Sequence, residues 1–271
     1  MGEIAQALGI SGRDVSYWLR VKRPSRTVYN PDLTPRPDLA YLVGAYLGDG
    51  RTAGARDKKV RFKVADPAFA DLLNGLVAKV LRASPKTVTT EGGFHCVNYD
   101  AAMLYDYVQR PLSVQMPLIE SFPTMFLRGF FDAEGYVSAM LNHSTRRFVN
   151  VVLGVVNTDP EYMCCVQLLL EKLGIPSTFQ WTHRSGEAMT IRGRTFFRKS
   201  SVRHLRITGK GNAKTFQERV GFSIPTKKEK LADLTWIARC LAPEDGYRWF
   251  VSNYEFQNHK WLKKNPNDNN S

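Results

Sequence analysis

Residues 42–50 read LVGAYLGDG, and residues 127–135, which begin 85 positions further along the chain, read LRGFFDAEG. Both segments have an apolar start, glycine at the third position, a small residue at the seventh, an acid at the eighth and glycine at the ninth. Each follows a proline and a good helix-capping residue, Pro37-Asp38 in the first copy and Pro123-Thr124 in the second. This pattern predicts two short apolar helices that each end at a glycine.

The acids of the two copies, Asp49 and Glu134, fall in the last turn of these helices. A carboxylate at that end faces the negative pole of the helix dipole, which is unfavourable unless a cation lies beside it. Two such acids in the same sequence frame indicate a paired metal site. The alternative is that the segments are two buried helices that end in ordinary Asp-Gly and Glu-Gly turns.

Small residues four positions apart give each helix a strip without large side chains. Gly44 and Gly48 form the strip in the first copy, and Gly129 and Ala133 form it in the second. This spacing lets two helix backbones approach closely, so we expect Gly44 and Gly129 to lie at a helix–helix interface. The acids would then meet at one end of that interface, where they repel unless divalent cations bridge them.

The two motifs resemble those of the LAGLIDADG homing endonucleases, of the single-chain kind that carries two motifs. The resemblance implies an α+β fold of two pseudo-symmetric αββαββα repeats, whose antiparallel sheets form a saddle over DNA. It implies metal-binding catalytic acids at Asp49 and Glu134, with the backbone carbonyls of Gly48 and Ala133 facing the metals. Departures from the family pattern are mild: Leu47 and Gly48 replace an acid and an alanine, and glutamate replaces aspartate at position 134.

The same resemblance implies the reaction, which is hydrolysis of one phosphodiester in each DNA strand near the pseudo-twofold axis. Mg²⁺ is the expected cofactor, Mn²⁺ is expected to substitute, and Ca²⁺ is expected to support binding without cleavage. Family members often place a lysine and an amide near the acids. The candidates are Lys63 or Lys210 for transition-state charge and Asn157 for ordering water, and the alternative for each lysine is a phosphate contact without a catalytic role.

The composition favours a polyanionic partner. The chain has 271 residues, a formal net charge of +13 and an isoelectric point near 9.7. Between positions 181 and 230 there are 13 Lys or Arg against three acids, so most of the excess lies in one segment. Such clustering is typical of nucleic-acid binding, which should weaken steeply with salt. The alternative is a generic basic surface.

Alternating strands supply the predicted contacts to DNA. Residues 60–64 and 202–208 alternate apolar and polar side chains with period two, which predicts half-buried antiparallel strands with one free face. Sheets laid in the major groove reach base edges, and their arginines also contact phosphates. The predicted contacts from the sheets are Arg61, Lys63, Arg192, Arg194, His204 and Arg206.

Residues 1–24 resemble a helix-turn-helix. Two short helical patterns flank a Gly turn at positions 9–10, and Ser11 caps the second helix. This helix would present Arg13, Ser16, Tyr17 and Arg20 to DNA. The alternative is a helical hairpin that makes no DNA contact. Residues 25–37 are predicted to be a linker.

The rest of the chain divides into two repeats and an extension. Asp-Pro pairs at 66–67 and 159–160, each before an apolar helical pattern, are a second mark of duplication. Aromatic residues between 245 and 262 either pack against the domain or stack on nucleic acid, and packing is favoured. The predicted segments are a first repeat over 38–113, a linker over 114–123, a second repeat with a C-terminal helical extension over 124–262, and a disordered tail over 263–271.

Several other classes of protein are excluded. No apolar run approaches the length of a transmembrane helix, and the N-terminus lacks the apolar core of a signal peptide. The four cysteines fit neither a zinc motif nor a disulfide framework, which predicts reduced thiols and a cytoplasmic or organellar location. The sequence has no phosphate-binding glycine loop, so nucleotide hydrolysis is not expected.

Two unlike repeats predict a monomer with a long asymmetric double-stranded DNA target. By resemblance the biological role is intron or intein mobility. The chain ends lack self-splicing residues, which favours an intron-encoded or free-standing enzyme, although an excised endonuclease segment stays open. Two other functions also stay open: an RNA maturase that binds its own intron RNA, and a non-catalytic transcription regulator with a helix-turn-helix. Neither of these needs both acids, and both acids are present.

Overall fold

The computed structural model describes residues 29–51, 58–183, 185–191, 194–197, 201–257 and 260–264. The predicted helix-turn-helix with Arg13, Ser16, Tyr17 and Arg20, the first part of the linker, Arg192 and most of the predicted tail lie outside these residues. Within them, no helix is both long and apolar enough to cross a membrane.

The first repeat packs its helices against one face of a four-stranded antiparallel sheet with the order β1-β2-β4-β3. Val60, Phe62 and Val64 face the core, whereas Arg61 and Lys63 between them face outward, as the alternation predicts. The elements are α1 (Pro37–Asp49), β1 (Gly50–Arg51), β2 (Val60–Val64), α2 (Pro67–Val80), β3 (Thr89–Glu91), β4 (Phe94–Tyr99) and α3 (Ala102–Val108).

The second repeat has the same element order with one insertion. Its sheet order is β5-β6-β10-β7, which matches the first sheet strand for strand, and a separate hairpin of β8 and β9 interrupts it. The elements are α5 (Pro123–Glu134), β5 (Gly135–Asn142), β6 (Arg147–Asn157), α6 (Pro160–Lys172), β7 (Thr178–His183), β8 (Ala188–Ile191), β9 (Arg194–Phe197), β10 (Val202–Thr208) and α7 (Lys210–Arg219). The predicted α+β fold of two αββαββα repeats is confirmed.

Both Asp-Pro pairs cap helices at corresponding places in the two repeats. The side chain of Asp66 accepts a hydrogen bond from the backbone N–H of Phe69 at the start of α2. The side chain of Asp159 accepts hydrogen bonds from the N–H groups of Glu161 and Tyr162 at the start of α6. Proline at the first helical position lacks the donor that would otherwise need a partner, so the pair begins a helix efficiently.

Residues 114–123, which were predicted to be a linker, lie mostly in helix α4 (Leu112–Ser121). Prolines at 111, 117 and 123 weaken the helical signal in the sequence. The helix forms because Leu118 and Ile119 are buried against the core. The buried side chain of Gln115 also donates hydrogen bonds to the carbonyls of Tyr107 and Val108.

The C-terminal extension is helical only in its first part. Helices α8 (Pro225–Cys240) and α9 (Pro243–Asn253) are followed by a hairpin of β11 (Tyr254–Gln257) and β12 (Lys260–Lys263), where the sequence predicted helix. The aromatic side chains pack on one another, with Phe250 stacked on Tyr254 at 4.7 Å and against Trp261 at 5.0 Å. The four residue pairs of the ladder join β11 to β12. The aromatic cluster holds this hairpin against α9.

Candidate active site

The two motif helices, α1 and α5, contact each other through glycines at equivalent positions. A Cβ added at Gly44 would overlap the carbonyl oxygen of Phe126, and one added at Gly129 would overlap the carbonyl oxygen of Tyr41. Each glycine therefore receives the backbone of the opposite helix, and the contact is reciprocal. The structure places both predicted interface glycines at the point of closest approach.

The predicted acids lie together at the C-terminal end of this helix pair. A Cβ added at Gly48 would lie 2.8 Å from Cγ of Glu134, so the end of α1 rests against that side chain. Burial, with the negative charge of Asp49 as the second cause, raises the pKa of Glu134 to about 7. Asn157 at the end of β6 donates a hydrogen bond of 3.3 Å to Oε1 of Glu134. Asp49, Glu134 and Asn157 therefore lie close together at this end of the helix pair.

Lys227 is a site residue that sequence reasoning missed. It lies in the first turn of α8, and its Nζ donates hydrogen bonds to the carbonyl oxygens of Asp132 (2.6 Å) and Phe131 (3.3 Å). These carbonyls belong to the last turn of α5, where the carbonyl of Phe131 also accepts a hydrogen bond from the N–H of the C-cap residue Gly135. Lys227 therefore supplies a cation at the negative end of the helix that carries Glu134, and its charge opposes the rise in the pKa of Glu134.

Competing effects act on Lys227. Burial lowers its pKa, whereas the charges of Asp132, Asp49, Asp66 and Glu134 act in the opposite direction. The attraction of these four acids thus offsets part of the cost of placing an ammonium group in a partly buried position. The lysine lies far from both motifs in the sequence, and the one available signal was the need for a cation beside an acid at a helix C-terminus.

The lysines predicted as catalytic occupy different surroundings. Lys63 is on β2, 3.4 Å from Oε2 of Glu91, with its ammonium over the ring of Phe94. Arg61, on the same face, pairs with the same carboxylate oxygen of Glu91. Lys210 is the exposed first residue of α7. The catalytic roles of Lys63 and Lys210 stay predictions.

The outer face of the second sheet carries a polar cluster near Glu134. The hydroxyl of Tyr136 and Nε2 of His204 are 2.6 Å apart, and Gly154 on the strand between them leaves room for this contact. Arg206 donates a hydrogen bond to Oε1 of Gln180. Beside this cluster is an open cavity of about 370 Å³, lined among others by Tyr136, Ser138, Met140, Arg206 and Trp261.

The donor set fits a hard divalent cation. Burial and the negative charge of Asp49 raise the pKa of Glu134. A positive charge placed between the two carboxylates would stabilise both of them in the ionised form. Oxygen donors of this kind suit Mg²⁺, Mn²⁺ or Ca²⁺. Among the residues that the structure describes, no three or more His, Cys, Asp or Glu side chains are grouped so that they could hold a metal ion by themselves. Remaining ligands would be backbone carbonyls, water and substrate oxygens.

Comparison with known sequences gives a family match over the second repeat. A family model described as LAGLIDADG-like domain matches residues 121–221, which confirms the predicted relationship. An uncharacterized protein of Methanocaldococcus jannaschii, MJ0398, is 29% identical over 86% of this chain and 84% of its own length. A glutamine–fructose-6-phosphate aminotransferase of the same organism is 23% identical over 73% of this chain, but only 17% of its own length is matched. A probable translation initiation factor IF-2 of Thermococcus kodakarensis is 23% identical, over 80% of this chain and 18% of that protein.

Solved structures with a similar arrangement include two kinds of protein. The homing endonuclease I-DmoI in complex with DNA and Ca has a TM-score of 0.47 at 17% identity, over 72% of this chain and 97% of that one. Full-length DUF199/WhiA from Thermatoga maritima has a TM-score of 0.48 at 14% identity, over 82% of this chain and 68% of that one.

Proposed function

We propose that this chain, which carries a LAGLIDADG-like domain, is a site-specific endonuclease that hydrolyses both strands of double-stranded DNA. The observation that carries the proposal is the meeting of Asp49 and Glu134 at the end of the glycine-mediated helix contact. One acid comes from each repeat, so the site lies at the pseudo-twofold position between two sheets with outward-facing basic residues.

Each residue of the site has a proposed role in the reaction. Asp49 and Glu134, with the carbonyls of Gly48 and Ala133, would hold divalent ions, which supply Lewis-acid polarisation and an activated water when bound. Asn157 orients the carboxylate of Glu134 through its hydrogen bond. Lys227 adds a fixed positive charge beside Glu134, in a partly buried place where such a charge can stabilise developing phosphorane charge. Mg²⁺ is the proposed physiological ion.

The proposed substrate is a long, asymmetric DNA site bound by one monomer. Arg61, Lys63, His204 and Arg206 lie on the outward faces of the two sheets, where side chains of alternate residues can reach a groove. Because the two sheets carry different side chains, they would read different half-sites. A DNA target agrees with the net charge of +13 and with the predicted intracellular location.

The pattern of relatives supports a mobile genetic element. The matched segments cover only 17% and 18% of an aminotransferase and an initiation factor, two proteins whose names denote unrelated activities. A segment common to unrelated hosts fits a module that inserts into genes, which is the role of a homing endonuclease in intron or intein mobility.

The decisive experiment is cleavage of a plasmid library that contains candidate insertion junctions, with Mg²⁺ or Ca²⁺. We expect specific double-strand cuts with Mg²⁺ that Asp49→Asn and Glu134→Gln each abolish, while both variants still bind DNA in Ca²⁺. Glu120→Gln is the matched control, because Glu120 is an exposed acid paired with Lys172 away from the site. Tight binding without cleavage under any metal would contradict the nuclease and indicate a regulator, or a maturase if structured RNA competes better than DNA.

A further inference from the structure

A second acid of the motif helix α5 makes an unusual set of contacts. Asp132 is buried, with 1% of its surface exposed. Its carboxylate accepts hydrogen bonds from the hydroxyl of Tyr41 (2.5 Å), the N–H of Ser223 (3.1 Å) and the N–H of Ile224 (3.4 Å). Tyr41 belongs to the opposite motif helix, and Ser223 and Ile224 lead into α8.

These contacts make Asp132 a helix cap supplied from elsewhere in the fold. Ile224 is the N-cap residue of α8, and its aliphatic side chain cannot accept a hydrogen bond. The carboxylate of Asp132 instead accepts from the N–H groups of Ser223 and Ile224 just before the helix, whereas a local Asp or Ser cap would accept from the second or third helical residue. The start of α8 is therefore fixed to the motif helices and not to its own preceding turn.

The same residue also receives the lysine of α8. Lys227 is the third residue of that helix, and its Nζ donates to the backbone carbonyl of Asp132. The side chain of Asp132 thus holds the entrance of α8, while its carbonyl holds the lysine one turn later. These two sets of hydrogen bonds together restrict the movement of Lys227 away from Glu134.

The other repeat shows that packing does not require this arrangement. At the offset of 85 residues that relates the motifs, Leu47 corresponds to Asp132 and Phe126 corresponds to Tyr41. Of the two equivalent pairs across the helix contact, one therefore consists of the apolar residues Leu47 and Phe126, and the other of a hydrogen-bonded acid and phenol. Burying a carboxylate is costly unless its partners are held in place, so its presence in one copy indicates a specific duty.

We propose that Asp132, together with Tyr41, is a positioning residue that fixes the entrance of α8 and so holds Lys227 beside Glu134. The catalytic consequence rests on the proposed nuclease function, whereas the placement of the lysine does not. Asp132 acts through Lys227 and touches neither substrate nor metal in this scheme.

The first test uses the full chain without DNA and compares the wild type with Asp132→Asn. The amide has one acceptor oxygen where the carboxylate has two, so the three donors compete for it. We expect amide hydrogen exchange of segment 221–228 to accelerate on the order of tenfold, in line with the loss of one charge-assisted hydrogen bond. We also expect faster acetylation of Lys227, followed by mass spectrometry.

Two further variants keep this test interpretable. Tyr41→Phe removes one donor and should produce a smaller change of the same kind, even if Asp132→Asn folds poorly. Thr235→Val is the matched control. Thr235 is buried on α8, two turns after Lys227, and its hydroxyl donates a hydrogen bond to Gln217 of α7. Its substitution should destabilise α8 without releasing Lys227. Unchanged exchange and unchanged Lys227 reactivity in Asp132→Asn would overturn the proposal.

The second test is a double-mutant cycle on the rate of cleavage with Lys227→Met. If Asp132 acts through the lysine, Asp132→Asn lowers kcat in the wild type but causes no further loss in Lys227→Met, and DNA affinity in Ca²⁺ stays the same. Additive losses would show an independent structural role and overturn the proposal. If the wild type cuts no DNA, the proposed function fails, while the exchange and acetylation results still decide the positioning role.

Discussion

The two motif helices share a backbone frame but differ in chemistry. Gly44 and Gly129 make equivalent contacts, and the helices end at glycines in the same way. Around the second acid, Lys227 and Asn157 add charge and a hydrogen bond. The register of the strands places Val64 where the second repeat has Asn157. Interface geometry is therefore retained in both copies, whereas this lysine and this amide both come from the second half of the chain.

The largest effect on stability is expected from substitution of the two glycines at the contact between the motif helices. Gly44→Ala and Gly129→Ala should each destabilise the protein by about 3 kcal/mol, because the added methyl overlaps the opposite backbone, which cannot yield as a flexible side chain can. The two losses should be similar, since the contacts are reciprocal. Denaturant unfolding gives the free energies.

A third glycine serves as the control for this comparison. Gly75 lies in helix α2, and a methyl group added there would meet nothing within 4 Å, so Gly75→Ala should stabilise the protein by about 1 kcal/mol. Tolerance of alanine at Gly44 or Gly129, but not at the other, would show that the pseudo-symmetric contact is unequal.

The second effect concerns the unequal acids and depends on pH. Because the pKa of Glu134 rises from 4.5 to about 7 on folding, its ionisation is disfavoured in the folded state. The metal-free protein should lose about 3 kcal/mol of stability as pH rises from about 4.5 to 7. Glu134→Gln should remove this loss, and Glu120→Gln should leave it in place.

Divalent ions sharpen the same measurement. A bound cation needs the ionised carboxylate, so Mg²⁺ should stabilise the wild type more at pH 8 than at pH 5.5. Thermal melts at both pH values, with and without the ion, give the comparison. A stabilisation independent of pH, or one retained in Glu134→Gln, would place the ion elsewhere.

A smaller effect is expected at Asn157. Its hydrogen bond favours the charged form of Glu134, so Asn157→Leu should raise the pKa of Glu134 further and shift the pH profile of cleavage upward. We expect a change of about 1 kcal/mol at neutral pH, typical of one hydrogen bond to a charged group. An unchanged profile would show that the amide has no influence on the carboxylate.

Periodic and local features of this fold could be predicted from the sequence, whereas long-range partners could not. The motif pairs, the Asp-Pro caps and the alternation at 60–64 and 202–208 each have a local physical cause, and all appear in the structure. Helix α4 was missed because prolines hid a helix that tertiary burial stabilises. The hairpin at 254–263 was missed because aromatic density gives no period that separates strand from helix.

The site shows the same division between local and long-range signals. The meeting of Asp49 and Glu134 was predicted because both acids occupy the same position of the duplicated motif, and the structure brings them together. Lys227 reaches Asp132 and Phe131 only through the path of α8, and no pattern near residue 227 signals that contact. Asp132 was visible in the motif, but its capping of α8 depends on a chain segment 91 residues away.

The smallest predicted effect distinguishes the outer faces of the two sheets. On the first sheet, Glu91 holds both Arg61 and Lys63, and their charges lower its pKa, whereas Arg206 on the second sheet bonds the neutral Gln180. Glu91→Gln should therefore release two cations and slightly strengthen DNA binding in Ca²⁺ at low salt. Gln180→Ala is the control and should not strengthen it.

The salt dependence of the same variants identifies the cause. If Glu91 competes with phosphates for Arg61 and Lys63, its neutralisation should steepen the dependence of affinity on salt, because more phosphate contacts release more counterions. Arg206→Ala should make the dependence shallower by about one contact. Equal slopes for the wild type and Glu91→Gln would mean that the first sheet's cations stay away from the backbone of DNA. The two half-sites would then be read by different means, with phosphate contacts concentrated on the second repeat.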